Sequence, residues 1–144
     1  MTDRSYIRVK ALAVIYNKSR THHVICQGYD KSKQQTYHRS LGGSVELGEP
    51  AAQAVVREIR EELGATLADV RLLGVLENIF SIDGELGHEV DFIFEGRLEE
   101  GDVVPLEGGT YLDVDVPMRV EWRPVEDAEL SVPLYPEGVR SLMK

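Results

Sequence analysis

The stretch REIREELG brings Arg57, Glu58, Glu61 and Glu62 together within a few residues of chain. On a helix, like charges at i,i+3 and i,i+4 repel by roughly 0.2–0.5 kcal/mol per pair. The cluster also sits toward the C-terminal end, where the helix dipole disfavours negative charge. Local helix physics would not select this arrangement, whereas a hard divalent cation would. Mg²⁺ is held by one or two carboxylates, with waters and phosphate oxygens completing its octahedron. Arg57 precedes Glu61 by one turn, the less favourable order for an i,i+4 pair, and reads as an orienter of the glutamates.

The elements that must position this cluster are legible around it. AAQAVVREIREEL, residues 51–63, reads as a helix with Pro50 at its first position and Gly64 just past its end. Unrolled at about 100° per residue, Ala52, Val55, Val56, Ile59 and Leu63 form the stripe expected to face a sheet. Glu58, Glu61 and Glu62 form a second stripe with Ala51 and Ala54, whose small side chains let another segment lie close. That segment is expected to be the preceding loop, GGSVELGEP, whose Gly43 carbonyl adds an oxygen ligand if it faces the helix.

YIRVKALAVIY, HHVICQGY and the shorter YHRSL read as strands, as do VRLLGVLENIF and HEVDFIFEGRL around a turn at Asp83-Gly84. Residues 99–115 read as an acidic loop, RVEWRPV as a last strand and PEGVRSLMK as a short helix. Strands on both sides of a helix predict a mixed α/β domain.

Composition narrows the function. The chain has 144 residues, expected to form a single domain over 1–144, and one cysteine, Cys26, so an intrachain disulfide and a thiolate metal cage are excluded. A net charge of −9 argues against a nucleic-acid polymer as partner. An anionic small substrate remains open if a metal supplies positive charge. No signal-peptide pattern and no membrane span are seen, so a cytoplasmic protein without a membrane partner is expected.

Gly43, Glu49 and REIREELGA together resemble the complete box of the Nudix hydrolases, over residues 43 to 65. YHRSLGG, LENIF, GHEVDFIF and EW followed by PLYPEG resemble a bacterial branch of that family. The resemblance implies an α/β/α sandwich with a mixed central β-sheet. It also implies Mg²⁺-dependent hydrolysis of a diphosphate linkage in a nucleoside diphosphate derivative, with Mn²⁺ able to substitute.

Carried onto this chain, the resemblance makes Glu58 and Glu62 the leading carboxylate ligands and Glu61 a further or water-mediated one. The Gly43 carbonyl becomes a backbone ligand, Arg57 the orienter, and Glu49 a brace between loop and helix. In such a site metal ions polarise the phosphates and acidify the attacking water. The general base stays open among Glu58, Glu77, Glu89, Glu107 and Glu121. Glu89 is favoured because it opens a strand beside the Gly84–Gly87 turn, which would let it swing toward substrate.

Arg39, just before the glycines, is a candidate for substrate phosphate. Tyr37 is a candidate for stacking, with Tyr16, Phe80 and Trp122 as alternatives. The FSID segment carries no marker of the ADP-ribose or dinucleoside polyphosphate branches, so the substrate is not legible. A sensing module that binds a nucleotide without cleaving it, and a hydrolase of prenyl or inositol diphosphates, stay open, as does a homodimer.

Overall fold

Alternation along each strand sorts the chain onto two sheets. The computed structural model describes residues 6–101, 103–113 and 116–143. Strand β1 (Arg8–Val14) pairs antiparallel with β4 (Leu41–Ser44) and parallel with β6 (Glu85–Leu98), which pairs antiparallel with β5 (Leu67–Ile82). This gives one mixed sheet in the order β4-β1-β6-β5. The second sheet runs β7-β8-β2-β3-β9, from β2 (His22–Asp30), β3 (Gln35–Arg39), β7 (Gly109–Asp113), β8 (Val116–Pro124) and β9 (Leu134–Tyr135).

From Ala11 to Val14 both faces of β1 are buried. Ala11 and Ala13 pack with Ala54, Val55 and Ile59 of helix α1 (Ala51–Leu63), and Leu12 and Val14 pack with Val139 of helix α2 (Val139–Leu142). Helices thus lie against opposite faces, the layered mixed α/β arrangement expected of a Nudix-like sandwich. Among the described residues no helix is long and apolar enough to cross a membrane.

Helix α1 ends where the sequence reading puts it, with Gly64 beyond Leu63 in the left-handed conformation (φ 67°) and its N–H donating to the Arg60 carbonyl. Its start differs. Pro50 is the extended N-cap residue and Ala51 begins the helix. Its buried face differs too, because Ala54 and Glu62 are buried and Ala52 is exposed. The reason is β4, which β1 draws across the Ala54–Glu58–Glu62 side of the helix.

Two other expectations are corrected, and one strand has no reading from the sequence. Gly42 and Gly43 lie in β4, opposite Leu12 and Ala11, rather than in a loop. The acidic 99–115 stretch contains strand β7, paired with β8. The two-residue strand β9 was too short to show periodicity. The Asp83-Gly84 hairpin is confirmed, with φ of 54° and 79°, the double positive φ of a type I′ turn.

Candidate active site

Arg57 organises the acidic stripe. Its Nε and Nη2 donate to the two carboxylate oxygens of Glu49 at 2.8 and 2.9 Å, a bidentate pair. Its Nη1 donates to Glu58 at 3.0 Å and Glu61 at 3.3 Å, and Nη2 also reaches the Ser44 carbonyl at 3.0 Å. One guanidinium therefore ties the 44–49 segment to the helix. The expectations that Arg57 orients the glutamates and that Glu49 braces the segment match this geometry.

The Arg57 guanidinium, with the Glu46 N–H, holds the Glu49 carboxyl down to about 2, from an ordinary value near 4.5. The contribution to stability is therefore complete above pH 4.5 and is lost as pH falls through 2. Thermal melts between pH 5 and pH 2 are expected to fall more steeply for the natural chain than for Glu49→Gln. Equal slopes would mean that this pair does not stabilise the fold.

Glu62 behaves differently from its neighbours. It is 4% exposed, and its Oε1 accepts the Gly42 N–H at 3.1 Å. One oxygen of this leading ligand candidate is thereby engaged with β4. Glu58 lies against Gly43 so closely that a Cβ there would stand 2.4 Å from the carboxyl carbon. A side chain at 43 would therefore push the Glu58 carboxylate out of its place.

Beside this wall opens a cleft of about 690 Å³. Its lining includes Gly43, the acids Glu58, Glu61 and Glu89, and the cations Arg8, Lys10, Lys33 and Arg39, with Asn78. Lys33 is held there through its Nζ, which donates to the Ser81 carbonyl at 3.0 Å.

The structure brings together Gly43, Glu58, Glu61, Glu89, Arg39 and Tyr37 of the expected set. Arg57 and Glu62 stand behind that surface. Of the bases that rival Glu89, Glu58 also lines the cleft, whereas Glu77 is exposed beside His88, Glu121 accepts from Gln27 on the second sheet and Glu107 is exposed, and these three do not line it.

Glu89 is in the cleft for a different reason from the one expected. It is inside β6 and does not open that strand. It stands opposite Arg8 on one side and Asn78 on the other, and Arg8 donates to it at 2.7 Å. Its position is fixed by pairing, so the swinging carboxylate is replaced by a clamped one. Arg8, Lys10, Lys33, Asn78 and Glu137 are lining residues that sequence reasoning missed. The i,i+2 alternation from Glu89 to Asp91 was visible, but its partners depend on register.

Three aromatic residues, Tyr37, Phe80 and Tyr135, also line the cleft, the Tyr135 ring 5.4 Å from that of Tyr37. Tyr37 lies over Gly28, its partner on β2, where a Cβ would come within 2.3 Å of the ring. Phe80 lies likewise over Gly87, its partner on β6, at 2.5 Å. Tyr16 and Trp122 are elsewhere, stacked with Arg20 and bonded to the Val104 carbonyl respectively.

Among the described residues no three Asp, Glu, His or Cys side chains converge as an all-protein metal cage. Mg²⁺ does not require one, since one or two carboxylates suffice when waters and phosphate oxygens complete the shell. The all-oxygen donor set, with Gly43 pressed against the Glu58 carboxyl, fits a hard divalent cation.

Fold and cleft define the class: a mixed α/β enzyme with a glutamate-rich helix facing a cation-lined pocket. A family model described as NUDIX domain matches residues 7–143, and the chain belongs to that family, the Nudix hydrolases. The NAD-capped RNA hydrolase NudC of Pseudomonas aeruginosa is 34% identical over 70 residues, which are 49% of this chain and 23% of that enzyme. The match thus spans less than a quarter of its length. Two solved structures share the fold. The MutT NUDIX hydrolase from Burkholderia pseudomallei has a TM-score of 0.66 at 24% identity, covering 96% of this chain and 97% of that one. The E. coli ORF135 protein has a TM-score of 0.57 at 23% identity, covering 95% and 86%. Membership in this family is consistent with hydrolysis of phosphoanhydrides.

Proposed function

We propose that this chain hydrolyses a phosphoanhydride bond in a small nucleoside diphosphate derivative, with Mg²⁺ or Mn²⁺ held by Glu58, Glu61, Glu62 and the Gly43 carbonyl. The observation that carries this reading is the gathering of helix carboxylates Glu58 and Glu61 with four cations, Arg8, Lys10, Lys33 and Arg39, in one cleft of a chain of net charge −9. The NudC relative is, by its name, a hydrolase of NAD-capped RNA, which supports a substrate of nucleotide type.

When bound, the cation supplies positive charge against the phosphate oxygens and makes a water a better nucleophile. Arg57, locked to Glu49, keeps Glu58 and Glu61 oriented. Arg39 and Lys33 of the same cleft hold phosphate oxygens. Glu89, clamped by Arg8, takes a proton from water as its oxygen bonds to phosphorus. The P–O bond of the bridge breaks, and the second phosphate leaves with its electron pair. Tyr37 and Phe80 stack the non-phosphate group.

A panel of nucleoside, prenyl and inositol diphosphate compounds, assayed with Mg²⁺ and read by product release, tests this. Turnover of nucleoside compounds is expected. Binding without turnover would identify a sensing module, and faster turnover of prenyl or inositol compounds would move the substrate class.

The seat of Tyr37 provides a second test. Gly28→Ala places a methyl where the ring lies, so the ring must swing. KM is expected to rise roughly tenfold, within the ~1–3 kcal/mol that stacking on one base contributes. An unchanged KM would remove Tyr37 from substrate binding.

A further inference from the structure

Beside the Arg8–Glu89 pair, the cleft carries a polar pair that the hydrolytic step does not use, Asn78 and Asp91. On one face, β1, β6 and β5 align Arg8, Glu89 and Asn78 in one row, with Lys10 opposite Asp91 in the next. Asp91 is fully buried, and its Oδ1 has no hydrogen-bond partner. Its Oδ2 accepts the Asn78 Nδ2 N–H at 3.0 Å, and Asn78 itself lines the cleft.

We propose that Asn78 is a specificity-determining residue whose amide oxygen accepts a hydrogen bond from an amino group on the substrate's ring, with Asp91 as its positioning residue. This rests on the hydrolase reading given above, which it deepens. An ionised carboxylate only accepts hydrogen bonds. Flipping the Asn78 amide would therefore set two acceptors against each other inside the protein. The amide nitrogen is committed to Asp91, which turns the carbonyl oxygen away from it. Tyr37 and Phe80, seated over Gly28 and Gly87, offer planar surfaces for the same ring. A ring bearing an exocyclic amine satisfies the oxygen, whereas a keto group at that position opposes it.

Burial, reinforced by the Glu89 charge, pushes the Asp91 carboxyl up to about 7, so the test is run at pH 8.5. Calorimetry compares methylene-bridged, non-hydrolysable diphosphates that differ at one position: adenosine against inosine, and cytidine against uridine. The amino member of a pair is expected to bind roughly tenfold tighter, the difference one hydrogen bond makes. Asn78→Ala removes the preference. Asp91→Asn does so as well, because a neutral amide can donate or accept and leaves Asn78 able to flip. This second variant also covers the case in which Asn78→Ala leaves Asp91 too poorly satisfied to fold.

Equal affinities in the natural chain, or a preference that survives Asp91→Asn, would overturn the proposal. Turnover of the hydrolysable pairs is measured in parallel. An amino preference in binding without turnover sinks the hydrolase reading and keeps this one, and turnover without preference does the reverse.

Discussion

Glu89→Gln lowers kcat at saturating substrate by roughly 10²–10⁴-fold, the contribution of a positioned general base. The expectation comes from placement. Helix α1 brings Glu58 and Glu61 to the cleft as metal-ligand candidates, and Glu89 on β6 lines the same cleft from another element, free to serve as base. Arg8 holds it at 2.7 Å, with side-chain exposures of 8% and 14% for the pair. Breaking a pair this buried also weakens the fold. A loss of up to about 3 kcal/mol is expected, lessened because the Gln amide oxygen can still accept from Arg8.

Arg8→Met separates the two effects, since it breaks the same pair and keeps the carboxylate. Both variants should melt earlier, and Glu89→Gln should lose far more turnover. Glu107→Gln and Glu121→Gln serve as controls away from the cleft, and Glu137→Gln tests the one lining acid near α2. Should Glu89→Gln keep most of its kcat across pH while Glu137→Gln does not, the base belongs to the 136–138 segment.

Glu58→Gln and Glu62→Gln weaken divalent-cation binding by more than the roughly 10–100-fold that losing an outer-shell partner costs. Each removes one charge from the site and leaves the scaffold standing. Arg57 keeps its bidentate contact with Glu49 when Glu58 is changed. A glutamine at 62 still offers an oxygen to the Gly42 N–H that Glu62 accepts. Relief of repulsion on the helix offsets part of any loss.

The readout is the melting temperature with and without Mg²⁺. At one hundred times its Kd a cation bound only by the folded state stabilises it by about 2.7 kcal/mol, so the natural chain should melt later with metal and the variants should not. An equal rise in all three would place the cation away from these glutamates.

What could be read from residues alone was what depends on near neighbours in the chain. The helix from Ala51 to Leu63, its stop at Gly64 and the Asp83-Gly84 hairpin are local, because capping, turn chemistry and periodicity act over a few residues. The box from Gly43 to Ala65 is local as well, and it sufficed for the family.

Tertiary structure decided the rest. Arg8 and Glu89 are 81 residues apart in sequence and meet only because β1 and β6 are parallel in one register. The same register sets Lys10 opposite Asp91, and the β5–β6 register sets Asn78 opposite Glu89 and Phe80 over Gly87. A slip of one residue would turn each of these side chains to the other face. The choice is made by burying both faces of β1 from Ala11 to Val14 between two helices, a global packing condition that no short stretch of the sequence displays.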